Sequence, residues 1–190
     1  MRVITGTARG QKLATLQGED VTRPTLEVVK EAVFSSIQFE LEGRTMLDLF
    51  AGSGQMGIEA LSRGAAKATF VDSSRDAANI ITQNLQKTKL YTLSNVICTD
   101  WQQYIRSAKN KYKFDYVFLD PPYSMDILPK VAAEIYDAGL LKETSVVICE
   151  DEKRIDMTNA LISERYELKK DARYGRVFIS YLTPKGAKND

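Results

Sequence analysis

Two short segments concentrate the side chains whose types and spacing could do chemistry. The first is Asp48-Leu49-Phe50-Ala51-Gly52-Ser53-Gly54-Gln55-Met56-Gly57. It follows an apolar run and opens a helix-like one, and Gly52, Gly54 and Gly57 fit G-x-G-x-x-G. Glycines there allow a tight turn and let a ligand lie against bare backbone at a helix N-terminus. Asp72 ends the next apolar run, where a carboxylate accepts hydrogen bonds from ribose hydroxyls. A dinucleotide and S-adenosylmethionine both present such a ribose. Asp48 suits an ammonium group, such as methionine's, better than a pyrophosphate of like charge.

The second segment, Asp120-Pro121-Pro122-Tyr123, decides between them. An exocyclic amino group on a nucleobase is a poor nucleophile because its lone pair is delocalised into the ring. Asp120 and the Pro121 carbonyl can each accept one of its two N–H bonds, which turns the lone pair toward an incoming methyl group. Consecutive prolines fix the carbonyl's direction without a loop that must first be ordered. Tyr123 offers a flat face for stacking on an extruded base.

Asp100-Trp101 follows a third apolar run. In an open α/β sheet the loops after successive strands converge on one crevice, so Asp100 could bond an adenine amino group and Trp101 cover its ring. An N-cap followed by a packing Trp explains the pair equally well. The absence of histidine removes every imidazole base, His-dependent nucleophile and His metal site. The acids fall singly after different strands, which argues against a metal centre. Cys98 and Cys149 each end an apolar run and read as buried, reduced thiols.

These residues need elements to position them. From Thr45 onward strand-like and helix-like runs alternate. The strands are expected at Met46–Leu49, Ala68–Val71, Asn95–Cys98, Tyr116–Leu119, Val146–Cys149, Tyr166–Lys169 and Val177–Leu182. The helices are expected at Met56–Arg63, Arg75–Leu90, Trp101–Ala108, Asp126–Ala138 and about Met157–Ser163. The alternation argues for βαβ units in a doubly wound α/β sheet, and most early strands are continuous apolar runs suited to cover on both faces. The last two strands, close in sequence, form an antiparallel hairpin. Residues 1–26, rich in Gly and Thr, read as extended or hairpin structure. Thr25 then caps a helix from about Leu26 to Leu41, ended by Gly43. With 190 residues, the chain can bury a sizeable core without disulfides. Neither an export signal nor a membrane-length apolar run is evident, which places it in the cytoplasm.

With these motifs in hand, the chain resembles the RsmD-like methyltransferases nearly end to end. The marks are Arg2-Val3-Ile4-Thr5-Gly6 with Arg9-Gly10, the turn Arg23-Pro24-Thr25, the loop Asp48 to Gly54, Asp120 to Tyr123, Cys149-Glu150 and Tyr174-Gly175. The resemblance implies a Rossmann-like class I fold: a seven-stranded mixed sheet with helices on both faces, preceded by an N-terminal β-hairpin and helix. It implies S-adenosylmethionine held by Phe50, Ala51, Gly52, Ser53, Gly54, Asp72 and Asp100. It implies a guanine of 16S rRNA, in an assembling or assembled small ribosomal subunit, held by Asp120 to Tyr123 and methylated at N2. The chain departs from the family pattern at Asp72-Ser73-Ser74, where Glu with a charged neighbour is usual, and at Arg176, where a small polar or acidic residue is.

The reading is therefore an S-adenosylmethionine-dependent rRNA (guanine-N2)-methyltransferase. Residues 1–43 form a substrate and cofactor cover, and residues 44–190 the methyltransferase domain. Asp48, Ser73 and Trp101 complete the cofactor site. Arg9, Arg23, Thr25, Arg173 and Arg176 contact RNA, since basic residues outnumber acids by seven to three between Arg165 and Asp190. Three alternatives stay open: a DNA amino-methyltransferase, an NAD-dependent oxidoreductase that leaves Asp120 to Tyr123 idle, and an RNA-binding module without turnover.

Overall fold

The computed structural model describes residues 1–16 and 24–186. It divides into two compact units, Met1–Trp101 and Gln102–Asp190.

In the first unit, β1 (Thr45–Asp48), β2 (Lys67–Asp72) and β3 (Ser94–Cys98) are parallel, with β2 in the middle. Their crossovers are α2 (Gln55–Ser62) and α3 (Arg75–Lys87). All but the ends of β1 and β2 are buried, as continuous apolar runs require. β3 is different: Asn95, Ile97 and Cys98 are exposed, so the expectation of a buried Cys98 is wrong. The register Asp72↔Cys98 gives β3 a partner on its β2 side, but its apolar residues lack cover on both faces. Cys149 is buried as expected.

α1 covers Pro24–Ile37, shorter at its end and earlier at its start than the periodicity suggests. Pro24 opens it, with a φ already suited to a first helical position. Thr25 therefore lies inside the first turn and is not the cap. Arg23 falls outside the described residues.

The N-terminal hairpin is reduced to one antiparallel bridge, Arg2↔Lys12. What holds this arm is a set of buried polar side chains from helices. Glu59, fully buried on α2, accepts from the Ile4 and Thr5 amides at 2.8 and 3.0 Å. Its charge is met by Arg63 at 2.8 Å and by buried Lys30 at 3.5 Å. Lys30 also donates to the Arg2 carbonyl at 2.6 Å. Ser62 donates to the Thr5 carbonyl and accepts from the Ala8 amide. Gly6, at φ +86°, passes so close that a Cβ would lie 1.7 Å from the Ser62 carbonyl oxygen.

The second unit contains β4 (Phe114–Leu119), β5 (Leu141–Asp151), β6 (Tyr166–Tyr174) and β7 (Val177–Pro184). β4 and β5 are parallel; β7 is antiparallel to both β5 and β6. The expected final hairpin is present, turning at Gly175-Arg176. Its helices are α5 (Leu128–Asp137) and the short α6 (Ala160–Ser163), while α4 (Trp101–Ala108) starts at the boundary. Buried Tyr166 donates to the Ala132 carbonyl at 2.7 Å, tying β6 to α5. Seven strands, parallel and antiparallel, are thus described, as the mixed sheet requires.

Candidate functional site

The glycine loop is built as the spacing predicts. Gly52 and Gly54 both adopt positive φ, +52° and +77°, and Gly54 is the residue before α2. The two differ in what surrounds them. A Cβ on Gly52 would meet nothing within 4 Å, whereas one on Gly54 would lie 3.1 Å from Ile81. Gly57 serves packing, since a Cβ there would sit 2.3 Å from the Phe70 ring. So the first glycine faces open space, and the third brings helix α2 close to β2.

Two carboxylates flank the loop. Asp72, at the end of β2, accepts from the Gly52 amide through one oxygen and from the Ser74 amide through the other, each at 2.8 Å. A carboxylate offers about four acceptor positions, so both oxygens keep capacity for a further donor. Asp48, at the end of β1, is 2 % exposed and accepts from the Gly57 amide at 3.1 Å. Burial pushes its pKa up to about 7, against the Gly57 hydrogen bond that lowers it; the charge on Asp72 adds to the rise. A buried acid poised near neutrality gains from a cation.

Phe50 and Gly52 are half-buried, and Ala51 and Ser53 are buried. Ser73 is exposed beside Ser74, which caps α3 by accepting from the Ala77 amide. Asp100 is exposed, and Trp101 is half-buried at the start of α4. Sequence reasoning passed over Gln55. Its Oε1 is buried without a hydrogen-bond partner, at the first position of α2 directly after Gly54. An orphaned acceptor in that place fits a donor from a bound ligand.

In the second unit, Asp120-Pro121-Pro122-Tyr123 leaves the end of β4. Asp120 is half-buried, Pro121 buried, and Pro122 and Tyr123 exposed. Tyr123 opens a single 3₁₀ turn closed by Asp126 in the left-handed conformation. The pairing Leu119↔Cys149 makes Asp120 and Glu150 the next residues along two neighbouring parallel strands. Glu150, only 4 % exposed, accepts from the Tyr123 hydroxyl at 3.3 Å. Burial pushes Glu150 up to about 7, partly offset by that hydrogen bond. Tyr123 is itself raised, by burial first and then by the acids Asp120, Glu150 and Glu152. Glu150 was legible only as part of a family mark, with no role; the signal was one more acid ending an apolar strand.

Arg9 is exposed on the N-terminal arm, and Arg173 and Arg176 flank the β6–β7 turn. Arg173 donates to the Gly175 carbonyl at 2.9 Å and lies 5.3 Å from the Phe178 ring centroid; Arg154 approaches that ring to 5.9 Å.

The sequence matches the family described as conserved hypothetical protein 95 over residues 1–183. A Haemophilus influenzae protein named ribosomal RNA small subunit methyltransferase D is 36% identical, the match covering 80% of this chain and 79% of that one. Its Escherichia coli namesake is 31% identical over 80% of this chain and 75% of its own. Among solved structures, one from Escherichia coli named as a methyltransferase, yhhF, superposes with a TM-score of 0.83 at 27% identity, covering 97% of both chains. The chain therefore belongs to this family, the RsmD-like methyltransferases, and has their class I fold.

Proposed function

We propose that this protein transfers a methyl group from S-adenosylmethionine to the exocyclic N2 of a guanine in 16S rRNA. The observation that carries the reading is the Asp120–Tyr123 segment at the carboxyl end of β4, with Pro121 buried and Tyr123 exposed. The names of the relatives support an rRNA substrate, and their matches cover most of the chain.

The cofactor supplies a methyl group already activated on a sulfonium. The protein's part is then positioning more than acid–base power. Gly52 leaves room for the ligand, and Asp72 takes the ribose hydroxyls on the oxygens that also hold Gly52 and Ser74. Asp48 receives the methionine ammonium, with Gln55 Oε1 as a second acceptor. Asp100 bonds the adenine amino group, Trp101 covers its ring, and Phe50, Ala51, Ser53, Gly54 and Ser73 complete the wall. Asp120 and the Pro121 carbonyl take the two N–H bonds of the guanine amino group, and Tyr123 stacks on the base. After attack the nitrogen is cationic, and its proton leaves through Asp120 or to water. Arg9, Arg23, Thr25, Arg173 and Arg176 hold the RNA, with residues 1–43 as the cover over substrate and cofactor. Such a substrate places the protein in the cytoplasm.

The test is incubation with methyl-labelled S-adenosylmethionine and, separately, 30S particles, naked 16S rRNA and DNA, followed by nucleoside analysis. N2-methylguanine from either RNA substrate is expected. Label in DNA adenine or cytosine would replace the reading with a DNA amino-methyltransferase. RNA binding without label would leave a binding module, and NADH binding an oxidoreductase.

A further inference from the structure

Among the described residues, Asn84 is the one buried polar side chain of α3 that reaches two other segments of the first unit, and it is 1 % exposed. Its Oδ1 accepts from the Ala14 amide at 2.7 Å, and its Nδ2 donates to the Ala14 carbonyl at 3.0 Å. The second Nδ2 hydrogen goes to the Ser53 carbonyl, also at 3.0 Å. Both Nδ2 hydrogens and one Oδ1 lone pair are used: two bonds clasp one residue of the N-terminal arm and one holds the glycine loop.

The Ser53 carbonyl and the Gly54 amide belong to one planar peptide unit. The Gly54 amide donates to the Ala51 carbonyl at 2.7 Å, so this unit is pinned at both ends, by Ala51 and by Asn84. It joins Ser53 to Gly54, and Gly54, like Gly52 one residue before Ser53, is in the left-handed conformation. Glycines give the loop no stiffness of their own. The Ala51 bond fixes one end of this peptide from within the loop, and Asn84, reaching in from α3, fixes the carbonyl end; the Ser53 hydroxyl separately donates to Met1 Sδ at 3.5 Å.

We infer that Asn84 is a positioning residue for the cofactor. It sets the direction of the Ser53–Gly54 peptide and makes that setting depend on the docked arm. This rests on the reading that the glycine loop holds S-adenosylmethionine. Lys87, one turn further along α3, provides the control. It donates to the Lys12 carbonyl at 2.6 Å, holding the same arm with no bond to the loop.

Calorimetry and steady-state kinetics on the full chain test the inference. Asn84→Ala should weaken S-adenosylmethionine binding at least 10-fold, while kcat at saturating cofactor changes less than 3-fold. Asn84→Asp keeps the shape and the Ala14 amide bond but sets a carboxylate against two carbonyls, and should lose as much. Lys87→Met should bind within 2-fold of wild type. A merely structural Asn84 would lower the melting temperature and leave the affinity of the folded protein unchanged, and that result overturns the inference. Equal loss in Lys87→Met would overturn it too, by assigning the effect to the arm at large. Amide exchange on the wild type keeps the test open if the variants do not fold. The Ala14 and Gly54 amides should exchange slowly and with the same protection, and a freely exchanging Ala14 amide would refute the clasp. Wild-type protein that bound no S-adenosylmethionine would instead overturn the cofactor reading itself.

Discussion

The Tyr123 hydroxyl donates to Glu150 across 3.3 Å, linking the turn after β4 to the end of the neighbouring strand β5. Tyr123 is 37 % exposed and Glu150 only 4 %. The exposed ring is thus oriented by a buried carboxyl. Tyr123→Phe keeps the stacking face and removes this restraint. Turnover on RNA should fall about 5- to 13-fold, the worth of one hydrogen bond of about 1–1.5 kcal/mol, with cofactor affinity unchanged. In a double-mutant cycle Glu150→Leu should add little to Tyr123→Phe, since both remove one interaction. Fully additive losses would separate the two residues.

Asp120→Ala should lower kcat by roughly 100-fold or more and leave cofactor affinity nearly intact, as when a hydrogen bond made in the transition state is removed. Single-turnover methylation with saturating RNA reads this directly. A variant retaining most of its turnover would take Asp120 out of the mechanism.

Burial holds Asp48 at about 7 in the free protein. An adjacent ammonium favours the charged form, so cofactor binding should release a proton below that pH. Affinity should then rise between about pH 5.5 and 7.5. Asp48→Asn should bind more weakly and lose the slope. Calorimetry at the two pH values, in buffers of different ionisation enthalpy, counts the proton. The same raised pKa bears on folding. The unfolded carboxyl ionises near 4, so between about pH 4 and 7 the folded state holds more protons and stability falls as pH rises. Above about 7 the penalty is complete and constant. Glu150, raised to about 7 as well, acts in the same direction. Denaturation of Asp48→Asn and Glu150→Gln should show a flatter profile through this window.

Gly52 and Gly57 should fail in opposite ways. Gly52→Ala adds a methyl group in open space at φ +52°. The strain is about 1 kcal/mol, so the fold should persist while cofactor binding is lost. Gly57→Ala drives a methyl group into the Phe70 ring and should cost about 1–3 kcal/mol of stability. Melting curves with and without cofactor distinguish the two.

Arg9→Ala, Arg173→Ala and Arg176→Ala should weaken RNA binding with little change in melting temperature. Each lost phosphate contact should flatten the log–log salt dependence of affinity by about one unit. Unchanged affinity and slope in all three would remove them from the RNA surface.

Strand and helix positions of the βα core were legible because they rest on local apolar periodicity. β1, β2 and α4 fall within a residue or two of the predicted runs. β5 starts earlier than predicted because Lys142 to Ser145 look like a polar loop; Leu141 nevertheless pairs with Phe114 across a bulge. β6 runs on through Lys169 and Lys170 to Tyr174, since an edge strand tolerates charge where a central one does not. The glycine loop and the Asp120 segment were legible because their spacing is local. Glu59, Lys30, Ser62 and Asn84 were not, because their partners are main-chain groups far away in sequence. A charged Glu59 among Ile58, Ala60 and Leu61 was the available signal: an ion at a wholly buried position requires partners.

The latch on the N-terminal arm has a consequence for how the chain acquires its shape. Ile4 must find Glu59, 55 residues later, and Ala14 must find Asn84, 70 residues later. At a synthesis rate of about 5–20 residues per second, Ala14 waits about 4–14 s for its partner to be made. Ile4 and Ala14 are made well before their partners and are thus among the last residues to settle. Closing such long loops is slow compared with forming the local βα turns. The arm should dock onto α2 and α3 as a late step, completing the glycine loop only after the first three strands have paired.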